Sequence, residues 1–332
     1  MKNPACVIQK PAVGPYTADV LTLEDRPVRE LKHGEVLLKV LHISLDPSNL
    51  MWLKLLPGWM ENVKVGDTMK GPSIALVEES QAENFSKGDV VSGPIDWTKL
   101  AVINANLLTK LTIKDNVPLE THLTIFSHVG HAAMIGMNEV AKIKSGETVL
   151  VSAAAGATGS LACQIAKARG CTVVGIAGGA EKCQWLLDEL KLDAVIDYKN
   201  EDVPAKLIEI CPDGPDVYFD NVGGEMLDSL LPLLAINARI AVCGQISQYG
   251  LTGEPYQFKN LFAFLMRRLT MQGFVVPDFT KDSPRINQML EDLYIQGALL
   301  HRPHILKGLE QAPAGLEMLL KGTNKGKLIV SV

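Results

Sequence analysis

Long hydrophobic runs are absent from this chain of 332 residues. The longest apolar stretches, residues 230–236 and 261–266, are far shorter than the roughly 20 residues that a membrane-spanning helix needs. The chain also begins without a basic segment followed by an apolar core, which is the pattern of a secretion signal. We therefore expect that the protein does not associate with a membrane and that it is cytoplasmic.

An excess of positive charge is also missing. The chain carries 32 Lys and Arg residues against 37 Asp and Glu residues, a formal net charge of -5, and it contains no dense basic tract. A protein built to hold a phosphate backbone needs clustered basic side chains. The composition therefore argues against nucleic acid as a partner.

Closely spaced cysteine pairs are missing as well. The six cysteines include no Cys-x-x-Cys pair, and several of them stand in apolar strand or helix patterns. This scatter favours buried, reduced thiols over a disulfide framework. The cysteines are Cys6, Cys163, Cys171, Cys183, Cys211 and Cys243.

Two kinds of patterning divide the chain. Hydrophobic residues make up 47 % and charged residues 21 %, which is typical of a soluble globular protein, and the length favours two domains. Residues 1–122 carry short strand patterns between Gly, Pro and Asp turns, whereas residues 123–298 alternate strands with helices, as βαβ units of a parallel sheet do. The pattern predicts a helix over residues 160–169 and, among the strands, residues 172–177, 194–197 and 271–276. We expect residues 299–332 to return to the first domain, because about six parallel strands already complete a dinucleotide fold. The predicted fold class is α/β, with a doubly wound parallel sheet and a second, mostly β domain.

A glycine turn between a strand and a helix is the most informative segment. In residues 149–160 an apolar strand runs into Gly156 and Gly159, and an amphipathic helix pattern follows. Gly156 would let the backbone approach a pyrophosphate, Gly159 would let the helix pack on the strand, and the first amides of the helix would hold the anion. Ala154 replaces the usual first glycine, so a purely structural turn is the alternative. The predicted contacts to the cofactor are Ala155, Gly156, Ala157, Thr158 and Gly159.

The choice between NAD and NADP is expected at the end of the next strand. NAD enzymes place a carboxylate there to bind the ribose 2′-hydroxyl, but this strand ends in Ala177, Gly178 and Gly179. The missing carboxylate leaves room for a 2′-phosphate near Gly178, and Lys182 offers a cation to pair with it. NADP is therefore favoured. The alternative is that Lys182 is a solvated helix residue and that Glu181 only complements a helix N-terminus.

Several segments together resemble one family. They are residues 146–149, 152–160, 164–167, 174–182, 218–224, 243–249, 267–274 and 324–327. In this combination they are similar to the zinc-independent medium-chain dehydrogenase/reductases, in the branch of the prostaglandin reductases and the leukotriene B4 12-hydroxydehydrogenases. The resemblance implies a GroES-like catalytic domain beside a Rossmann domain, NADPH as hydride donor, and reduction of the C=C bond of an α,β-unsaturated ketone or aldehyde. It also implies a homodimer formed through the sheet edge near residues 271–276.

The resemblance assigns site residues by position. Lys182 and Tyr198 match residues on the 2′-phosphate side of NADP, and Tyr249 matches the tyrosine beside the reacting carbonyl. A phenol there can donate a hydrogen bond to the oxygen as an enolate develops. The residues matched to the nicotinamide half are Asn221, Cys243 and Asn324, and the further cofactor contacts are Val222, Gly244 and Ser247.

The ligands of a catalytic zinc ion are not found where zinc enzymes of this superfamily carry them. Residues 43–46 and 71–73 occupy those regions without a Cys or a Gly-His-Glu stretch, so we expect no metal. His122, His128 and His131 form the only histidine cluster, and a zinc site or a proton relay is the alternative interpretation of it. No cysteine or paired carboxylate accompanies these histidines, which favours a role in lining the cofactor cleft.

Two stretches depart from the family pattern and place the preferred substrate in question. Residues 48–51 lack the usual tyrosine and arginine, and residues 128–134 contain the histidines described above. Trp52, Trp59 and Met60 are candidates for a different apolar wall, with core packing as the alternative. The predicted function is an NADPH-dependent enone or enal reductase. The alternatives are an NADPH quinone oxidoreductase and a non-catalytic NADPH-binding sensor or scaffold.

Overall fold

The computed structural model of the chain describes residues 2–12, 14–54, 63–249 and 254–332. The chain forms two units, of which the first comprises Met1–Leu123 with Pro303–Val332 and the second comprises Thr124–Arg302. Trp59 and Met60 lie outside the described residues. None of the described helices combines the length and the apolar character needed to cross a membrane.

The described strands are numbered along the chain. They are β1 (Pro4–Ile8), β2 (Leu21–Asp25), β3 (Glu35–Ser44), β4 (Lys70–Ser80), β5 (Val90–Asp96), β6 (Leu100–Asn104), β7 (Thr109–Lys110), β8 (Thr148–Val151), β9 (Thr172–Ala177), β10 (Ala194–Asp197), β11 (Val217–Asp220), β12 (Arg239–Val242), β13 (Thr270–Gly273), β14 (Pro303–Lys307) and β15 (Lys327–Ser331).

The described α-helices are numbered in the same way. A π-helix at Ile135–Val140 directly follows the helix at His128–Met134. They are α1 (Pro47–Leu53), α2 (His128–Met134), α3 (Ala157–Ala168), α4 (Ala180–Asp188), α5 (Val203–Ile210), α6 (Gly224–Leu230), α7 (Ile246–Tyr249), α8 (Phe262–Arg267), α9 (Ser283–Ile295) and α10 (Ala312–Lys321).

The second unit is built on a six-stranded parallel sheet. Its strand order is β10-β9-β8-β11-β12-β13, which is the order 3-2-1-4-5-6 of the Rossmann fold. Both faces of the sheet are covered: in β8, Val149 and Val151 belong to one buried cluster and Leu150 belongs to the other. Burial on both faces explains why these strands read as continuous apolar runs. The predicted fold class is confirmed.

The first unit is mostly β. A seven-stranded sheet has the order β14-β15-β3-β4-β5-β7, with β6 paired to β3, and β1 and β2 form a separate antiparallel pair. The closing strand β15 runs antiparallel to β3, so the end of the chain returns to the unit that its beginning forms. Trp52 packs against the core of this unit, in agreement with the packing alternative for that residue.

Two element boundaries differ from the sequence patterns. The helix after the glycine turn begins at Ala157 rather than near Ser160, because its N-cap is Gly156 and no side chain marks the start. The last strand of the parallel sheet, expected to run to Val276, ends at Gly273. A 3-10 helix with a proline in its first turn begins at Val276, and proline cannot donate a ladder hydrogen bond.

Candidate cofactor and active site

The glycine turn after β8 has the shape of a phosphate cradle. Gly156 is the N-cap of the twelve-residue helix α3, and no described side chain caps the first amides of that helix. A Cβ atom at Gly159 would lie 2.3 Å from the carbonyl oxygen of Ala153, so only glycine fits where the helix crosses the strand. Ala153 itself adopts a left-handed φ of 48°. The uncapped amides and the missing side chains suit the pyrophosphate of a dinucleotide.

A buried aspartate organises the centre of the sheet edge. Asp220, at the end of β11, is fully buried. Its carboxylate accepts hydrogen bonds from the hydroxyls of Ser152 and Tyr218, each at 3.0 Å, and from the amides of Val222 and Gly223 at 3.1 and 3.0 Å. Burial raises the pKa of this carboxyl group despite these donors. Asp220 thereby ties the end of β8 to the turn that follows β11.

Asn221 is held by the same network. Its backbone amide donates to the Ser152 hydroxyl at 2.9 Å, and its side-chain Nδ2 donates to the Ser152 carbonyl at 2.7 Å. The orientation of the carboxamide is therefore fixed by β8. Its Oδ1 accepts no hydrogen bond from the described residues, which leaves it available to a donor such as a carboxamide group.

The end of β12 lies against the same aspartate. The amides of Cys243 and Gly244 donate to the carbonyl oxygen of Asp220 at 2.9 and 3.2 Å. The hydroxyl of Ser247, one turn further, donates to the carbonyl of Val222 at 2.6 Å. Burial raises the pKa of the Cys243 thiol to about 12, so this side chain is a neutral wall rather than a nucleophile.

Tyr249 ends the short helix α7, and its hydroxyl folds back over the start of that turn. The hydroxyl oxygen accepts a hydrogen bond from the backbone amide of Gln245 at 3.1 Å. It also lies 3.3 Å from the position that a Cβ atom would take on Gly244. Burial raises the pKa of the Tyr249 phenol above its usual value of about 10. The hydroxyl is therefore protonated at neutral pH, and since it accepts from Gln245 its own hydrogen remains to be donated.

A second cluster lies at the ends of β9 and β10. The ring of Tyr198 covers Gly178 so closely that a Cβ atom there would come within 2.6 to 2.9 Å of three atoms of the phenol. Lys182, in the first turn of α4, is half-buried. Burial and the nearby Lys199 ammonium group both lower the pKa of Lys182. Two cations thus lie near each other beside a turn without side chains, as a phosphate group requires.

The single carboxylate of Glu181 does not by itself neutralise the ammonium groups of Lys182 and Lys199. Its carboxylate pairs with the guanidinium of Arg302 at 3.4 Å, and that guanidinium lies 5.5 Å from the centre of the Trp185 ring. The half-buried position of Lys182 also differs from the solvated helix residue that the alternative interpretation required.

The structure assembles most of the predicted site residues in one unit. Asn221, Val222, Cys243 and Gly244 are hydrogen-bonded to Asp220 or Ser152. Residues 155–159 form the glycine turn, and Gly178, Lys182 and Tyr198 form the cluster beside β9. Asn324 belongs to the first unit, where it is 9 % exposed and its Nδ2 donates to the carbonyl of Gly326 at 2.8 Å. Its predicted role stays a prediction.

Four residues with a part in this geometry escaped the sequence reasoning: Ser152, Asp220, Gln245 and Lys199. Only Asp220 left a signal, as a carboxylate at the end of the otherwise apolar strand Val217–Asp220. The other three act through hydrogen bonds or charges that depend on the folded chain.

The histidine cluster of the sequence is divided. His122 belongs to the first unit, whereas His128 and His131 lie on α2 in the second, and Nε2 of His131 is 2.7 Å from Oδ1 of Asn287. Within the described parts of the chain, no group of three or more His, Cys, Asp or Glu side chains is placed to hold a metal ion.

The sheet order, the glycine cradle and the cation cluster define a dinucleotide-binding protein of the Rossmann class. Comparisons with known proteins narrow this class to particular families. The family described as "Zinc-binding dehydrogenase" matches residues 157–293, and the one described as "N-terminal domain of oxidoreductase" matches residues 5–111.

Relatives of known name cover almost the whole chain. The 2-alkenal reductase (NADP(+)-dependent) of Nicotiana tabacum is 39 % identical over 302 residues, which are 90 % of this chain and 88 % of the relative. Prostaglandin reductase 1 of Mus musculus is 38 % identical over 304 residues, 90 % of each chain. The crystal structure of CurA in complex with NADPH from Vibrio vulnificus has a TM-score of 0.94 at 33 % identity and covers 99 % of both chains. The chain belongs to the medium-chain dehydrogenase/reductase superfamily, and the family predicted from its motifs is confirmed.

Proposed function

We propose that this protein is an NADPH-dependent reductase that transfers hydride to the β-carbon of α,β-unsaturated ketones and aldehydes without a metal ion. The names of its relatives, a 2-alkenal reductase and a prostaglandin reductase, support the reaction class, and the NADPH complex of CurA supports the cofactor. The observation that carries the proposal is the hydroxyl of Tyr249, which is half-buried and protonated, and which donates no hydrogen bond within the described residues, beside the carboxyl end of the sheet.

The residues present fit NADPH, which when bound supplies the hydride. In our proposal residues 155–159 hold its pyrophosphate, with the uncapped amides at the start of α3 as donors. Lys182 and Tyr198 hold its 2′-phosphate, for which the missing side chain of Gly178 leaves space. The residues proposed for the nicotinamide half are Asn221, Val222, Cys243, Gly244 and Ser247, with Asn324 from the first unit. The fixed carboxamide of Asn221 and the neutral thiol of Cys243 orient the ring without reacting with it.

Tyr249 stabilises the charge that the reaction creates. When hydride reaches the β-carbon, electron density moves through the double bond to the carbonyl oxygen, which becomes an enolate oxygen. The phenol donates its hydrogen bond to that oxygen as the charge develops, and this donor is preorganised because Gln245 holds the hydroxyl in place. The α-carbon is then protonated to complete the saturated product.

Replacing Tyr249 tests this role. We expect Tyr249→Phe to lower kcat with a 2-alkenal by about 100-fold, since loss of one preorganised donor to an oxyanion costs that much, while the dissociation constant of NADPH stays unchanged. Steady-state rates and fluorescence titration measure the two. Tyr294→Phe is the matched control, because that ring packs edge-on against Phe126 in the same unit, and it should keep full activity. Equal loss of turnover and NADPH affinity, or no loss of turnover, contradicts the role of Tyr249.

Two alternatives remain distinct from this proposal. A quinone oxidoreductase would turn over 1,4-benzoquinone faster than a 2-alkenal under anaerobic conditions, and a sensor or scaffold would bind NADPH tightly without turning over either substrate. The preorganised donor at Tyr249 favours a reductase over a sensor or scaffold, because stabilising a developing oxyanion serves catalysis and adds nothing to cofactor storage. The names of the relatives favour an enone or enal over a quinone as substrate.

We further propose that the protein is a cytoplasmic homodimer. Strand β13 is the last strand of the parallel sheet and pairs only with β12 among the described strands. Beside this open edge, α8 carries apolar side chains with high exposure, including Phe262 and Leu265 at 69 % each. An apolar surface next to an unpaired sheet edge is a suitable surface for a second copy of the chain. We also propose residues 1–122 with 299–332 as the catalytic domain and residues 123–298 as the NADP-binding domain.

A further inference from the structure

The turn that follows β10 is fastened to the start of α4 by one carboxylate. Asp197 is paired in register with Ala177, the last residue of β9. Its Oδ1 accepts hydrogen bonds from the amides of Gly179 at 2.8 Å and Lys199 at 3.1 Å, and its Oδ2 accepts one from Nδ2 of Asn200 at 2.8 Å. Gly179 has a φ of 94°, a conformation that favours glycine. Asp197 therefore fixes two turns relative to each other.

This arrangement sets the position of Lys199. The ring of the preceding Tyr198 lies over Gly178, and the backbone amide of Tyr198 donates to the carbonyl of Ala177 at 3.0 Å. Lys199 follows immediately, with its own amide held by Asp197. Its ammonium group is near enough to that of Lys182 to disfavour the protonation of Lys182. The nearby Glu181 carboxylate pairs with Arg302, so it does not balance both lysines by itself.

Asp197 is a carboxylate at the carboxyl end of β10, beside the end of β9, yet it does not have the role of the NAD-specific carboxylate. Both of its oxygens already accept hydrogen bonds from the turns described above. These three donors occupy most of the acceptor positions of the carboxylate, so little of it is left for a ribose 2′-hydroxyl. A phosphate at the same place would instead meet two cations, and a phosphate monoester carries a charge between about -1.5 and -2 at neutral pH.

We propose that Lys199 is a second specificity-determining cation of the 2′-phosphate site, and that Asp197 is the positioning residue that holds it there. This inference rests on the proposed use of NADPH. It assigns to Asp197 a function in NADPH selectivity opposite to the one that an acidic residue has in NAD-dependent enzymes. An anion that binds between the two ammonium groups would offset their mutual repulsion.

Substitution of Lys199 tests the inference directly. We expect Lys199→Ala to weaken NADPH and the fragment 2′,5′-ADP by about tenfold, because one charge-assisted contact is lost, and to change NADH and 5′-AMP by less than about twofold. Isothermal titration calorimetry measures all four ligands. Lys206→Ala is the control, since it removes the same charge from α5, where Lys206 pairs with Glu209 at 2.9 Å, and it should leave all four affinities unchanged. Unchanged NADPH selectivity in Lys199→Ala overturns the inference.

Two substitutions of Asp197 separate positioning from charge. Asp197→Asn keeps an acceptor oxygen for the two amides, so we expect it to retain the preference for 2′,5′-ADP over 5′-AMP. Asp197→Ala removes the acceptor and should lower that preference to the level of Lys199→Ala. A merely structural role would weaken 5′-AMP and 2′,5′-ADP alike in Asp197→Ala, and that result overturns the positioning role.

The wild-type protein separates failure of this inference from failure of the proposed function. If it binds neither NADPH nor 2′,5′-ADP, the proposed function fails and the inference falls with it. If it binds both, and Lys182→Ala loses the preference while Lys199→Ala keeps it, only the inference fails. Thermal unfolding of each variant verifies that the chain is folded in these comparisons.

Discussion

The chemistry of this protein depends on a few residues whose protonation states are set by burial. Tyr249 stays a phenol and Cys243 stays a thiol because partial burial raises the pKa of both groups. Lys182 is the exception, because burial and Lys199 both work against its charged form. Without a bound ligand, Lys182 therefore loses its proton at a lower pH than an ordinary lysine. A bound phosphate would raise the pKa of Lys182 again.

The lowered pKa of Lys182 predicts a particular pH dependence. As the pH rises through that value Lys182 becomes neutral, so the affinity for NADPH should fall at a lower pH than an ordinary lysine, with a pKa of about 10.4, would allow. The affinity for NADH should not follow it. The groups that face Lys182 are Lys199, Glu181 and Cys183. Titration of NADPH and NADH across alkaline pH measures the effect.

Substitution of Lys199 by alanine should move the loss of NADPH affinity to a higher pH. The reason is that the Lys199 ammonium group, which lowers the pKa of Lys182, is then absent. Lys206→Ala should leave the midpoint where it is in the wild type. If the NADPH affinity of Lys199→Ala falls with the same midpoint pH as that of the wild type, the ammonium groups of Lys182 and Lys199 do not interact.

Residues that the sequence could and could not identify differ in how they act. Gly156, Gly159 and Lys182 stand at fixed distances along a strand-turn-helix pattern, so local sequence was enough to select them. Asp220 and Lys199 act across strands that are far apart in the chain. Asp220 meets Ser152, and Asp197, which holds the amide of Lys199, meets Gly179, only when the parallel sheet forms, and no spacing rule anticipates that.

The bounds of helices and strands also differ in how well the sequence predicts them. The strands β9 and β10 have the bounds that the alternating pattern predicted, because parallel strands covered on both faces are sharply defined apolar runs. The start of α3 and the end of β13 were misplaced, since the first has no capping side chain and the second is exposed along its whole length. An exposed edge strand has little hydrophobic pattern to define its bounds.

The exposed edge also leads to a prediction about assembly. If β13 and α8 meet a second copy of the chain, Leu265→Lys places a charge at the centre of the apolar surface and should convert the dimer to a monomer. Sedimentation velocity measures the change. Ile295→Lys is the control, because Ile295 is 72 % exposed on α9 and should leave the dimer intact. A monomeric wild type, or a dimeric Leu265→Lys variant, contradicts this interface.

At the scale of the whole molecule, the sequence predicted that the end of the chain returns to its first domain. A Rossmann sheet is already complete before the closing strand, so that strand needs another sheet. The pairing of β15 with β3 has this topology. The choice of substrate is not readable in this way, since residues 48–51 and 128–134 depart from the family pattern and lie on α1 and α2 of different units.

The central claim is that hydride passes from NADPH to the β-carbon of an enone or enal. Incubation with NADPH that carries deuterium at both C4 positions of the nicotinamide and a simple 2-alkenal, followed by NMR analysis of the product, tests it most directly. We predict a saturated aldehyde with a single deuterium on the β-carbon. An allylic alcohol with deuterium on the former carbonyl carbon, or no deuterated product, would contradict the claim.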